Sequence, residues 1–149
     1  MLIRGPPLSD SPITVAEIID ANTEVPFPNL ELNTPPEGLV NTSSGRPLSS
    51  SDSNHFINAQ AVIVDPFERL WVLDNGRTVI GGDILPAVPG GPKLMGFELE
   101  DNATAPFITI TFSESVLPAL GYLNDVRFDF RSNLTKSGKG VAYIADTSR

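Results

Sequence analysis

A strand–turn–strand pattern that opens at Phe56 opens again at Tyr122, and a chain that repeats such a unit must stack the copies to bury them. In the first copy, Ala61–Asp65 (AVIVD) and Arg69–Asp74 (RLWVLD) are β-branched and aromatic runs joined by a tight turn that Pro66 suits. In the second, Tyr122–Phe130 (YLNDVRFDF) passes through a polar turn, Arg131–Lys139, into Gly140–Asp146 (GVAYIAD). Val62–Asp65 falls on Val126–Asp129 at an offset of 64 residues, and Asp74 falls on Asp146 at an offset of 72, the longer second turn absorbing the difference. Between the copies, a Gly/Pro-rich connection, Asn75–Pro92, precedes two more strand-like runs, Lys93–Leu99 and Pro106–Phe112. The unit is therefore a four-stranded meander.

A repeated four-stranded meander predicts an all-β chain, specifically a partial β-propeller. One complete blade is expected over 56–112, and the first half of the next over 113–149. Residues 1–55 are expected to form a loosely ordered N-terminal segment that carries the end of a preceding blade. Prolines at 6, 7, 12, 26, 28, 35, 36 and 47 exclude a long helix there. Two extended pieces are expected, Ile13–Ile19 and Val25–Leu32, with a short helix over Ile13–Asp20 as the alternative to the first. Asn41–Asn54, poor in apolar residues and rich in Ser, is expected to be a surface loop.

Composition narrows the chemistry. With no cysteine, the chain has no disulfide, no thiol nucleophile and no thiolate metal site. A formal charge of −8 disfavours nucleic acid as a partner. No run approaches the roughly 18 apolar residues of a membrane span, and the first fifteen residues lack the apolar core of a signal peptide. His55, the only histidine, has nothing to orient it as a base toward Ser51 or Ser53. Gly81-Gly82 and Gly90-Gly91 lack the strand-to-helix context of a phosphate cradle.

In a propeller the starts of inner strands and the ends of second strands share one face, the channel mouth. That face collects Asn58, Gln60, Asn124 and Asp125 from strand starts, and Asp74, Asn75 and Asp146 from strand ends. The repeat makes Gln60 and Asn124 equivalent, and two such polar tips on apolar strands can converge on a small ligand or ion. Gln60, Asp74, Asn124, Asp125 and Asp146 are the candidate ligand-binding set, against the alternative that they bond neighbouring backbone. The oxygens of Asn124-Asp125 suit a hard cation such as calcium, although the six to eight ligands it takes would have to be completed from elsewhere. No catalytic residue is assigned. Trp71 is expected in the core, and Arg127 and Asp129 are expected to bridge blades. Asn41, Asn102 and Asn133 each open an Asn-x-Ser/Thr glycosylation sequon in an expected loop or turn, consistent with secretion.

Three segments together resemble the yellow / major royal jelly protein family: NAQAVIVDPFERLWVLDNGR (58–77), GGPKLMGFELE (90–100) and YLNDVRFDF…GVAYIADTS (122–148). The resemblance is dense from Asn58 to Ser148 and looser over TVAEII…EVPFPNLELN. It implies a six-bladed propeller, normally secreted, that binds a small, aromatic or amine-bearing molecule at the mouth of its channel. It also implies two alternatives: an enzyme (a dopachrome-type isomerase or a metal-dependent lactonase) or a secreted structural or nutritive protein. Six blades need roughly 240 residues at about 40 each, so a chain of 149 residues without an export signal is expected to be a fragment of such a protein.

Overall fold

In a computed structural model of the chain, the residues described are 2–3, 13–35, 54–80, 82–99 and 104–148. The repeated pattern forms strands as its alternation demands. β1 (Leu2–Ile3), β2 (Val15–Asp20) and β3 (Thr23–Pro26) make an antiparallel sheet in the order β1-β2-β3, followed by a single helical turn, α1 (Leu30–Asn33). β4 (Ala59–Val64) and β5 (Arg69–Asn75) form the first hairpin, and a small ribbon, β6 (Val79–Ile80) with β7 (Asp83–Ile84), rises from the connection that follows. β8 (Pro92–Glu98) and β9 (Ile108–Thr111) complete a four-stranded antiparallel sheet in the order β4-β5-β8-β9. β10 (Leu123–Asp129) and β11 (Val141–Asp146) form the second hairpin.

The chain is thus all-β, a partial propeller with one complete blade and a sheet packed on either side of it. On one face of the blade, Leu70, Val72, Met95 and Phe97 pack with Val15, Phe27 and Leu32 of the N-terminal segment. The rings of Phe27 and Phe97 meet edge to face at 5.3 Å. On the other face, Ala61, Trp71, Leu73 and Leu94 pack with Leu117, Leu123, Val126 and Ile144. Each such large side chain contributes about 1.5–3 kcal/mol by leaving water, so the blade is held as a wedge between its neighbours. Gly96 faces Trp71 across the register, and a Cβ there would stand 2.7 Å from the Phe107 ring. That opening lets Phe107 lie edge-on to Trp71 at 5.5 Å.

The N-terminal segment departs from expectation in one place. Ile13–Ile19 is extended, as β2, rather than the alternative helix, but Val25–Leu32 is not one extended piece. It ends as a strand at Pro26 and turns helical at Leu30, because the Asn29 side chain caps the turn by accepting from the Leu32 amide at 2.9 Å. Asn33 then stitches the turn to β2. Its Oδ1 accepts from the Thr14 and Val15 amides, and its Nδ2 donates to the Phe27 and Asn29 carbonyls, all at 2.9 Å. The Ser-rich stretch expected as a loop lies outside the described residues apart from Asn54.

Candidate functional site

The two hairpins repeat in contacts as well as in sequence. In the first, the register runs Ala59↔Asp74 and then Ala61↔Leu73, so Gln60 is an extra, bulged residue. In the second, Leu123↔Asp146 is followed by Asp125↔Ala145, and Asn124 bulges at the equivalent place. A bulge reverses which face the following residues address. Ala59 accordingly packs toward the N-terminal sheet while Ala61 packs toward β10.

The aspartates at the ends of β5 and β11 latch the starts of their partner strands. Asp74 accepts the Asn58 amide at 2.9 Å and the Gly76 amide at 2.8 Å through Oδ1, and the Ile57 amide at 2.6 Å through Oδ2. Asp146 accepts the Tyr122 amide at 2.9 Å and the Ser148 amide at 2.8 Å. The environments differ. Asp74 is buried, with the buried Lys93 ammonium 3.4 Å from Oδ2 and donating at 2.9 Å to the Gly91 carbonyl. Asp146 is exposed, and the Tyr122 and Ser148 amides, with a smaller contribution from the Arg77 charge, hold its carboxyl below the usual range near 4.

At the opposite end of each hairpin a second aspartate closes the turn. Asp65 accepts the Phe67 amide at 2.8 Å, Arg69 Nε at 2.7 Å and Trp71 Nε1 at 2.8 Å. Burial by itself would raise this carboxyl, but the bonds from Arg69, Trp71 and the Phe67 amide outweigh it and hold the group low. Asp129, its repeat equivalent, is held low chiefly by the Arg131 side chain.

The contact that crosses between blades at the mouth is Gln60 with Tyr122. The Tyr122 hydroxyl donates to Gln60 Oε1 at 3.1 Å, and Gln60 Nε2 donates to Asn58 Oδ1 at 2.8 Å. Behind Tyr122, the Arg77 guanidinium lies 5.7 Å from the ring centroid. Arg77 is buried and, among the described residues, forms no ion pair, its donors spent on carbonyls instead: Nε on Leu85 at 2.7 Å, Nη1 on Leu120 at 2.9 Å and Nη2 on Ile84 at 3.2 Å. It ties the connection after β5 to the residues that lead into β10.

Of the sequence candidates, Gln60 thus reaches the next blade through Tyr122, two residues before Asn124. Asn124 is exposed, and its amide makes no hydrogen bond among the described residues. Asp125 accepts its neighbour's amide, Val126 N, at 2.8 Å and pairs with Arg127, on the face of β10 turned away from the complete blade. Asp74 is occupied on both oxygens by backbone and Lys93. Among the described residues, no group of three or more His, Asp or Glu side chains is close enough to hold a metal ion. Arg127 and Asp129, expected to bridge blades, pair instead with Asp125 and Arg131 of their own hairpin.

Sequence reasoning missed Tyr122, Arg77 and Lys93. The repeat carried a signal for Tyr122, because it occupies the position of Asn58; Lys93 is a lone cation in an apolar strand, opposite Asp74 in the register. Arg77 stood out only as a base within a Gly/Pro-rich connection. At the same end of the blade, a cavity of about 230 Å³ opens between the β7–β8 connection and the segment after β9. Val88, Pro92, Phe112 and Leu117 line it, with Glu114 the one ionisable side chain.

A family model described as Major royal jelly protein matches residues 57–149. No curated protein matches the chain.

Proposed function

Because the chain belongs to the major royal jelly protein family, we propose that it binds a small aromatic or amine-bearing molecule at the mouth formed by Gln60, Tyr122, Asn124 and Asp146. The observation that carries this reading is the bulge that recurs at Gln60 and Asn124. Bulges re-aim side chains and gather beside binding sites, and here each sits at the inner-strand start of its own blade. Gln60 keeps one N–H beyond its bond to Asn58, and Tyr122 keeps its oxygen lone pairs. Asp146, exposed and ionised at neutral pH, supplies negative charge for an ammonium group. Asp74 contributes indirectly, by holding the strand ends on which these groups stand.

Calorimetric titration of the protein with dopamine and phenethylamine tests this. Saturable heat is expected, weakened about tenfold or more by Gln60→Ala, as loss of a polar contact to a ligand predicts. Absence of heat with both amines would overturn the reading. Following dopachrome absorbance in parallel separates binding from turnover.

The proposal includes an extracellular location, for which Asn133 offers a check. It is exposed in the turn between β10 and β11, at the end of the hairpin away from the mouth, where a glycan is accommodated without disturbing the site. Asn41 and Asn102 lie outside the described residues. Expression through a secretory pathway is expected to give a product that shortens on enzymatic deglycosylation, and Asn133→Gln is expected to remove one glycan's mass.

A further inference from the structure

The cavity between the β7–β8 connection and the segment after β9 is lined entirely by residues between 87 and 119, so both walls come from the complete blade and the connection that leaves it. Backbone bonds fix each wall. In the first, the Val88 amide donates to the Gly76 carbonyl at 3.0 Å and the Gly91 amide to the Val88 carbonyl at 2.9 Å. In the second, the Leu117 amide donates to the Ser113 carbonyl at 2.9 Å and the Gly121 amide to the Pro118 carbonyl at 2.7 Å. Two further bonds join the walls, from the Ala87 amide to the Ala119 carbonyl at 2.8 Å and from the Phe112 amide to the Pro92 carbonyl at 2.9 Å. A space braced in this way exists before any ligand arrives, and filling it carries little ordering cost.

Its chemistry is divided between a buried apolar part and one exposed charge. Val88 and Leu117 are buried in two different core clusters, and Phe112 packs against the second of them. Glu114 is exposed, is the one ionisable side chain of the lining, and makes no ion pair among the described residues. Such a lining selects a hydrocarbon body that carries a single positive charge. A body bearing hydroxyls would set them against side chains that offer no partner. An apolar cavity of about 150 Å³ admits benzene, so the 230 Å³ here has room for somewhat more.

We propose that this cavity is a second small-molecule site that takes an alkylammonium ion of about six to eight carbons, its chain among Val88, Phe112 and Leu117 and its charge at Glu114. The site stands whether or not the mouth binds a ligand, because its lining shares no residue with Gln60, Tyr122, Asn124 or Asp146. So few ligand atoms and one ion pair open to water place the affinity in about the millimolar range.

Titration of the ¹⁵N-labelled 149-residue chain with hexylamine, from about 0.1 to 20 mM and followed by amide chemical shifts, brackets an affinity of that order. Saturable shifts are expected at Val88, Leu117 and Ala119, with Gln60 and Tyr122 unmoved. Hexan-1-ol, of the same length without the charge, is expected to bind up to about fivefold more weakly. Glu114→Gln is expected to bring hexylamine down to the level of the alcohol; the side chain is exposed, so the fold is retained. Ala119→Leu, which adds bulk at the wall while leaving the carbonyl that holds Ala87, is expected to abolish the shifts. Absence of saturable shifts with hexylamine, equal affinity for amine and alcohol, or a Glu114→Gln variant that binds hexylamine as the parent does would each overturn the proposal. Shifts confined to Gln60 and Tyr122 would assign the amine to the mouth alone and equally overturn it.

Discussion

The β4–β5 and β10–β11 hairpins share their local connections and differ in what covers them. Each has a bulge at its third residue from the latch, a carboxylate closing the strand ends and another closing the turn. Yet Asp74 is buried beside Lys93 while Asp146 is exposed, and Trp71 is 7% exposed while Tyr143, its register equivalent, is 57% exposed. The comparison separates two kinds of stabilisation. Hydrogen bonds within a hairpin recur wherever the hairpin's sequence recurs, but burial depends on the neighbouring sheet. A substitution in one hairpin should therefore not cost what its counterpart costs in the other.

The widest contrast is expected for Trp71→Ala against Tyr143→Ala. The first empties a core position and loses the bond to Asp65, for about 3–5 kcal/mol; the second, at an exposed position, stays within about 0.5 kcal/mol. Urea unfolding midpoints at constant slope measure both, and equal losses would mean that the β10–β11 face is covered in solution. Next is Asp74→Ala, which leaves the Lys93 ammonium buried without its anion at a cost of about 3–5 kcal/mol. Asp146→Ala is expected to cost a small fraction of that, because water replaces its two amide bonds.

Acid should reveal the same asymmetry in the turns. The Asp65 and Asp129 carboxyls are held below their ordinary values, so their stabilisation is complete above the unfolded value near 4 and disappears as pH falls through the lower folded values. Asp65→Asn is expected to flatten the loss of stability below about pH 4 more than Asp129→Asn does, since Asp65 is buried and Asp129 is not. Stability profiles from pH 6 to 2 decide this, and identical profiles for the two variants would refute it. A modest effect is expected from Tyr122→Phe, which removes the bond to Gln60 for about 0.5–1.5 kcal/mol while leaving the ring over Arg77 in place.

Much of this architecture was legible beforehand because strand-forming residues advertise themselves at short range. The alternation in Ala61–Asp65, Arg69–Asp74 and Tyr122–Phe130, and the repeat that relates them, was sufficient to place the blade and the hairpin beside it. The helical turn at Leu30–Asn33 was not legible, because it depends on Asn29 and Asn33 finding amides across a tertiary contact to Thr14 and Val15. At the mouth, Gln60 and Asn124 were identified as equivalent by counting, but their bulges were not, since a bulge appears only when two strands are paired.

The amino-acid sequence alone determined the all-β class, the repeat and the exclusion of thiol and disulfide chemistry, because these depend on residue type and on periods of a few residues. Tertiary structure alone decided which of two equivalent aspartates is sealed with a lysine, that Tyr122 joins Gln60 across the blade boundary, and that Arg77 is buried among carbonyls. Those outcomes depend on groups tens of residues apart meeting at a few ångströms, and the shape and charge of the neighbouring sheet select among side chains that look interchangeable along the chain.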